Sequence, residues 1–60
     1  MDIQLIIDAR NHAYEIMMLG QAMMDRATTQ SEKQIADCVY YSGWSTYWMM
    51  VELERKKRSK

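Results

Sequence analysis

Apolar and small side chains recur at every third or fourth position through the first half of the chain. Those that share one helical face are Leu5, Ile6, Ala9, Ala13, Ile16, Met17, Gly20, Met23, Met24 and Ala27. Positions 6, 9, 13, 16, 20, 23 and 27 follow strict steps of three and four, as in a heptad seam. Because most of these seam residues are alanine or glycine, a neighbouring helix can approach closely. We predict a first helix over about residues 2–27.

The helical pattern breaks in a short polar stretch. Thr29 with Glu32 matches a capping box, in which a hydroxyl and the side chain three residues later satisfy free backbone amides at a helix start. Ser31 with Gln34 matches the same motif, so either pair can begin a second helix, predicted over about residues 31–56. So short a connection makes the two helices antiparallel.

The second helix carries apolar side chains on two opposite sides. One side comprises Ile35, Val39, Ser42, Thr46, Met49 and Leu53, at steps of four and three. The other side comprises Tyr40, Tyr41, Trp44, Tyr47, Trp48 and Val51. A helix that is apolar nearly all round is buried on both sides, and one neighbouring helix covers only one of them. We expect the first side to hold the hairpin and the aromatic side to contact another copy of the chain or another protein.

A strand is the alternative for the aromatic region. Tyr, Trp, Val and Thr favour sheets, and the sequence Tyr41-Ser42-Gly43-Trp44 is compatible with a hairpin turn. A lone two-stranded hairpin is marginally stable, however, and the flanking segments have a helical pattern. Helix is therefore the favoured prediction.

A chain of 60 residues forms one domain with a small core, and such domains add a disulfide, a metal or an oligomer. Cys38 is the only cysteine, so no internal disulfide exists, and we expect it to be buried at the edge of the seam. Cys38 and His12 supply too few ligands for zinc. The predicted fold is all-α: residues 1–54 form a two-helix antiparallel hairpin that assembles into a homodimeric four-helix bundle or a higher bundle.

The net charge of zero hides an asymmetry. Residues 1–54 carry three basic and eight acidic side chains, a net charge of −5. Residues 55–60 form a basic C-terminal tail of net charge +5, made by Arg55, Lys56, Lys57, Arg58 and Lys60. These cations are candidates for phosphate contact, although solubility and the negative helix end are the simpler explanation. The acidic body disfavours broad nucleic-acid binding through the bundle itself.

His12, with Asp8 and Glu15 one turn away, is the one cluster that resembles a catalytic or metal site. We expect a rim histidine oriented by a carboxylate, since no nucleophile, second histidine or glycine-rich phosphate loop accompanies it. The sequence predicts no enzyme, no cofactor and no metal site. It has no apolar run that spans a bilayer and no signal-peptide pattern, and its lone thiol suits a reducing compartment, so we expect a cytoplasmic protein.

The aromatic side of the second helix allows three interpretations. It forms the core of the hairpin or dimer, it docks another protein, since Trp and Tyr are enriched at hot spots, or it stacks on nucleic-acid bases. Peripheral membrane attachment through Trp48 and the tail is a further alternative. The predicted function is a non-enzymatic protein-interaction module. The alternative is a small nucleic-acid-binding regulator that uses the basic tail.

The layout resembles the Rop family of plasmid RNA-binding proteins: similar length, a helix through Ala27, a tight break, and a second helix carrying Cys38. This architectural resemblance spans nearly the whole chain and implies a homodimeric four-helix bundle. It does not carry the RNA function, because that family uses basic and amide groups on helix 1, where only Arg10 and Arg26 are basic here. The small proline-free chain also looks like the accessory proteins of lambdoid bacteriophages, which implies a regulatory protein that binds a host or phage factor in the host cytoplasm.

Overall fold

The computed structural model describes residues 1–59 and contains two helices, α1 (Ile3–Arg26) and α2 (Gln30–Arg58). They pack side by side and antiparallel, as a rod of 48 × 14 × 13 Å. The predicted all-α hairpin is confirmed over this range, and the strand alternative is wrong because α2 runs unbroken through the aromatic region. Within residues 1–59, neither helix is both long and apolar enough to cross a membrane.

Local capping defines both helix starts. The Asp2 carboxylate accepts a hydrogen bond from the Gln4 backbone amide at 3.2 Å. At the start of α2, the Thr29 hydroxyl accepts from the Glu32 amide, and the Glu32 carboxylate accepts from the Thr29 amide in return. Of the two predicted capping boxes, the earlier one is therefore used, and Ser31 lies inside the helix.

The contact between the helices is made by one isoleucine and four small residues at seven-residue spacing. The fully buried positions are Ile6, Ala13 and Gly20 on α1, and Ala36 and Gly43 on α2. A Cβ on Gly20 would lie 2.5 Å from the backbone nitrogen of Tyr40, and a Cβ on Gly43 would lie 2.5 Å from that of Met17. Neither glycine has a positive φ. Both are therefore required for the space they leave, and the two backbones touch at these points.

The predicted hairpin contact of α2 needs correction. Ile35 and Met49 are 58% and 61% exposed, and Val39 and Leu53 are half-buried. The heptad row of these larger side chains lies to one side of the contact, because the adjacent row of Ala36 and Gly43 permits a closer approach. On α1, the prediction was right for positions 6, 13 and 20, whereas Leu5 is 61% exposed. Cys38, expected to be buried, is exposed.

Gly43→Ala tests the backbone contact. Alanine gains about 1 kcal/mol of helix propensity over glycine, but a Cβ here meets the backbone of α1, and overpacking costs about 1–3 kcal/mol or more. We expect a net loss in the free energy of unfolding, measured by urea denaturation followed by circular dichroism at fixed protein concentration. Ser45→Ala, at an exposed position of α2, is the control and is expected to be nearly neutral. A stabilised Gly43→Ala variant would contradict the close approach.

The hydrogen bonds to the Glu32 carboxylate predict that the free energy of unfolding depends on pH. Hydrogen bonds from the Thr28 amide and hydroxyl and from the Thr29 amide lower the pKa of Glu32 below its ordinary value of 4.5. A carboxylate with a lowered folded-state pKa stabilises the fold above its unfolded pKa, and loses that effect as the pH falls through the folded pKa. Wild type should therefore exceed Glu32→Gln in stability at neutral pH, and the difference should shrink as the pH falls below 4.5 and through the lowered folded-state pKa.

The measurement is urea unfolding of both proteins at neutral pH and at about pH 3. Glu15→Gln is the matched control, because within residues 1–59 Glu15 takes part in none of the side-chain hydrogen bonds. A stability difference between wild type and Glu32→Gln that persists undiminished in acid would show that the charged cap is not the cause.

Candidate interaction surfaces

One side of the hairpin carries a run of aromatic rings, here called the aromatic surface. The surface comprises six aromatic residues and one valine: Tyr14, Tyr40, Tyr41, Trp44, Tyr47, Trp48 and Val51. Tyr14 of α1 lies against Tyr47 of α2, with ring centroids 5.9 Å apart. Tyr47 meets Trp48 at 5.3 Å, and Trp48 meets Trp44 at 6.4 Å, both edge to face. Edge-to-face pairs are favourable, so the rings support one another in a connected array.

The predicted aromatic site residues divide into two groups. Tyr40, Tyr47 and Val51 are half-buried, because they flank the close helix contact. In contrast, Tyr41, Trp44 and Trp48 are 60%, 45% and 51% exposed. The hairpin core of the first interpretation therefore describes only part of the set, and the two indoles remain available to another copy of the chain or to another molecule.

Tyr14 was not predicted as part of the aromatic surface. It is 48% exposed and extends the array from α2 onto α1. The sequence signal was its position directly after the seam residue Ala13, whose carbonyl oxygen would lie 2.7 Å from a Cβ on Gly43 of the facing helix. Once the glycine contact is known, Tyr14 and Tyr47 are seen to flank it on the same side.

The opposite side of the hairpin, here called the aliphatic surface, is lined by aliphatic and small side chains. Its members are Leu5, Ala9, His12, Ile16, Leu19, Met23, Ile35, Val39, Ser42, Thr46, Met49 and Leu53. Near the middle, Ala9, His12 and Ile16 line one wall of a shallow groove, and Ser42 and Thr46 line the other. Toward the loop, Met23 and Ile35 line a second groove. Leu5 and Leu19 lie seven residues on either side of His12 and so share its side of α1.

The predicted cluster of His12, Asp8 and Glu15 lies exposed on the surface of α1. His12 is exposed at the rim of the central groove. Asp8 accepts a hydrogen bond from the Gln4 side-chain amide at 2.9 Å. In the part of the chain that the structure describes, no group of three or more histidine, cysteine or acidic side chains is arranged to hold a metal ion.

The predicted basic tail is largely helical, since α2 continues to Arg58. Arg55 pairs with Glu52 at 2.6 Å and Arg58 pairs with Glu54 at 2.9 Å. Glu54 also binds Arg10 of α1, which joins the two helices at their open end. The hydrogen bond from Arg55 and its positive charge lower the pKa of Glu52.

The remaining cations of the tail differ from the two arginines. Among residues 1–59, Lys56 and Lys57 take part in none of the ion pairs, and both are exposed. Lys60, also predicted as a phosphate contact, lies outside the described residues. Within the described part of the tail, two adjacent lysines therefore remain as positive charge outside the ion pairs.

Comparison with known proteins finds no match to this chain among family models, curated proteins or solved structures. The two packed helices agree with the architecture of the resemblance stated above, and no family assignment supports it further. Function must therefore be argued from the surfaces themselves.

The two glutamates near the end of α2 make a matched pair. Glu54 is 13% exposed and joins both helices, so we expect Glu54→Gln to lower the free energy of unfolding by about 1–2 kcal/mol. Glu52 is half-exposed and pairs within its own helix, so Glu52→Gln should lower the free energy of unfolding much less than Glu54→Gln does. Urea unfolding of both variants measures the contrast. Equal losses would show that the bridge between the helices contributes no more than a surface pair.

Proposed function

We propose that this protein is a non-enzymatic interaction module of the accessory type, which binds a partner protein through its aromatic surface and alters that partner's activity. The observation that carries the proposal is the connected array of rings in which Trp44 and Trp48 remain about half exposed. Tryptophan and tyrosine dominate binding hot spots, because each buries a large area at a small cost in conformational entropy. A continuous helix holds these rings in place before a partner arrives, which reduces the ordering cost of binding.

Self-association is the second part of the proposal. The fully buried hydrophobic residues are Ile6, Ala13 and Ala36 alone among residues 1–59, whereas eleven large hydrophobic side chains are exposed there. A homodimeric four-helix bundle, or a higher bundle, supplies the missing burial for so small a chain. The exposed free thiol of Cys38 favours a reducing compartment such as the cytoplasm, which is the location we propose.

The alternative function is nucleic-acid binding through the end of α2. The observation in its favour is the adjacent exposed pair Lys56 and Lys57. Against it, Arg55 and Arg58 are already paired with glutamates of their own helix. A two-lysine contact gives a shallow salt dependence and little affinity, so protein docking is the stronger proposal.

The test is affinity capture from an extract of the source organism with the full chain as bait. We expect a defined protein to be retained at raised salt and after nuclease treatment, and retention to fall by about 30-fold or more in Trp44→Ala and Trp48→Ala, as at a hot spot. Ser45→Ala, at an exposed position that belongs to neither surface, is the control and should bind as wild type does.

Lys56→Gln combined with Lys57→Gln separates the two functions. Protein docking should survive this double substitution. Loss of the captured material after nuclease treatment, or in the lysine variant with the tryptophan variants unaffected, would favour the nucleic-acid alternative. If wild type retains no protein above the level of Trp48→Ala, the proposed docking is wrong.

A further inference from the structure

We infer that a second copy of this chain covers the aliphatic surface, with the two hairpin loops at opposite ends of the assembly and both aromatic surfaces facing outward. The inference rests on the self-association proposed above, and it is independent of any partner for the aromatic rings. It names the surface used and the relative direction of the two copies. Three features of the hairpin carry it: side-chain chemistry, area and charge.

The chemistry of the two surfaces differs in a way that assigns them. Leu19 and Ile35 of the aliphatic surface are 61% and 58% exposed and have no hydrogen-bonding group, and Met49, 61% exposed, has only the weak acceptor sulfur that faces the Ser45 hydroxyl at 3.9 Å. Such side chains gain most from a dry, closely packed interior. The exposed rings of the aromatic surface carry hydroxyl or indole N–H groups, which suit a partly wet interface. The aliphatic surface is therefore the better core of a four-helix bundle.

The area of the aliphatic surface meets the requirement of a stable dimer. The hairpin exposes 4620 Å², whereas a compact monomer of 7.2 kDa exposes about 4,100 Å². One side of the rod measures 48 by 14 Å, roughly 650 Å² in projection. Two such sides together give about 1,300 Å², within the range of specific protein interfaces. A second hairpin of equal length covers this side from end to end.

The charges along the rod favour loops at opposite ends. Residues 15–37, the loop half, contain four acidic and two basic side chains and have a net charge of −2. Because the whole chain is neutral, residues 1–14 and 38–60 together have a net charge of +2. Loops at opposite ends place each acidic half over the basic half of the other copy, whereas loops at the same end place like charges together.

In this arrangement, the groove lined by Ser42 and Thr46 lies at the centre of the assembly. Gly43 packs beside Ala13 and Met17, which sets the midpoint of the hairpin near these residues. With loops at opposite ends, a two-fold axis crosses the interface here, α1 packs on α1 and α2 packs on α2. The small side chains of Ser42 and Thr46 therefore face the same region of the second copy, and they permit the close packing that the hairpin itself uses.

Two serine substitutions test the surface. Ser42 lines the central groove, and Ser45, one turn away on the same helix, lies outside it. Light scattering should give twice the 7.2 kDa chain mass for wild type and for Ser45→Lys. Ser42→Lys places an ammonium group inside the interface and should raise the dimer dissociation constant by at least about tenfold. Circular dichroism checks that both variants keep their helix content, and Thr46→Lys replaces Ser42→Lys if the latter unfolds.

A distance between labels tests the direction. Gln30→Cys in a Cys38→Ser background carries one exposed nitroxide at the loop end of each copy. Loops at opposite ends predict a separation that approaches the 48 Å length of the hairpin in pulsed electron paramagnetic resonance. Loops at the same end predict about 20 Å or less, two interaxial distances, and that result would overturn the inferred direction.

The same measurements separate this inference from the proposed docking. Trp48→Ala should remain dimeric while it loses the captured partner. A monomeric wild type, a Ser42→Lys variant as dimeric as Ser45→Lys, or a Trp48→Ala variant that becomes monomeric would each overturn the inferred use of the aliphatic surface. None of these outcomes bears on partner capture, which is measured independently.

Discussion

The backbone contact at Gly20 and Gly43 is the constraint on which the remaining structure depends. Each glycine lies where a Cβ would meet the backbone of the facing helix at 2.5 Å, so the two helices approach more closely than a side chain at these positions would allow. Close approach leaves no room for large side chains between the helices near these two glycines, although Ile6 is buried nearer the open end. Those side chains are displaced to the two flanks of the rod, and this displacement produces both the aromatic and the aliphatic surface.

The flanks explain why a chain with 48% hydrophobic residues buries so few of them. In a hairpin that packs through leucine or isoleucine, the hydrophobic surface would meet in the middle. Here the middle is filled by Ala13, Ala36 and the two glycines, and the bulk of the apolar area faces outward. The large exposed apolar area is thus a direct result of the composition of the seam.

Much of the fold could be predicted from the sequence because its signals are local. The heptad spacing of α1, the polar break and the capping box at Thr29 each determine structure within a few residues. The face of α2 that contacts α1 could not be predicted in the same way. The rows containing Ile35 and Ala36 both repeat every seven residues, and hydrophobicity favours the row with larger side chains. The choice depends on how closely α1 can approach, which is a property of the pair and not of either helix.

The same limit applies to the candidate surfaces. The aromatic residues of α2 were recognised from the sequence, but their division into half-buried and exposed rings depends on the position of the glycine contact. Likewise, the tail was recognised as a run of positive charge. Its pairing with Glu52 and Glu54 requires the helix to continue, and the bridge to Arg10 requires the second helix to be in place.

The thinness of the rod has one further consequence. A body 13–14 Å across has no interior layer between its two sides, and adjacent residues of α2 such as Thr46 and Tyr47 belong to opposite surfaces. A rotation or shift of α2 would therefore move side chains on both flanks at once. If binding on one flank shifted α2 in this way, the resulting change in affinity on the other flank would be reciprocal.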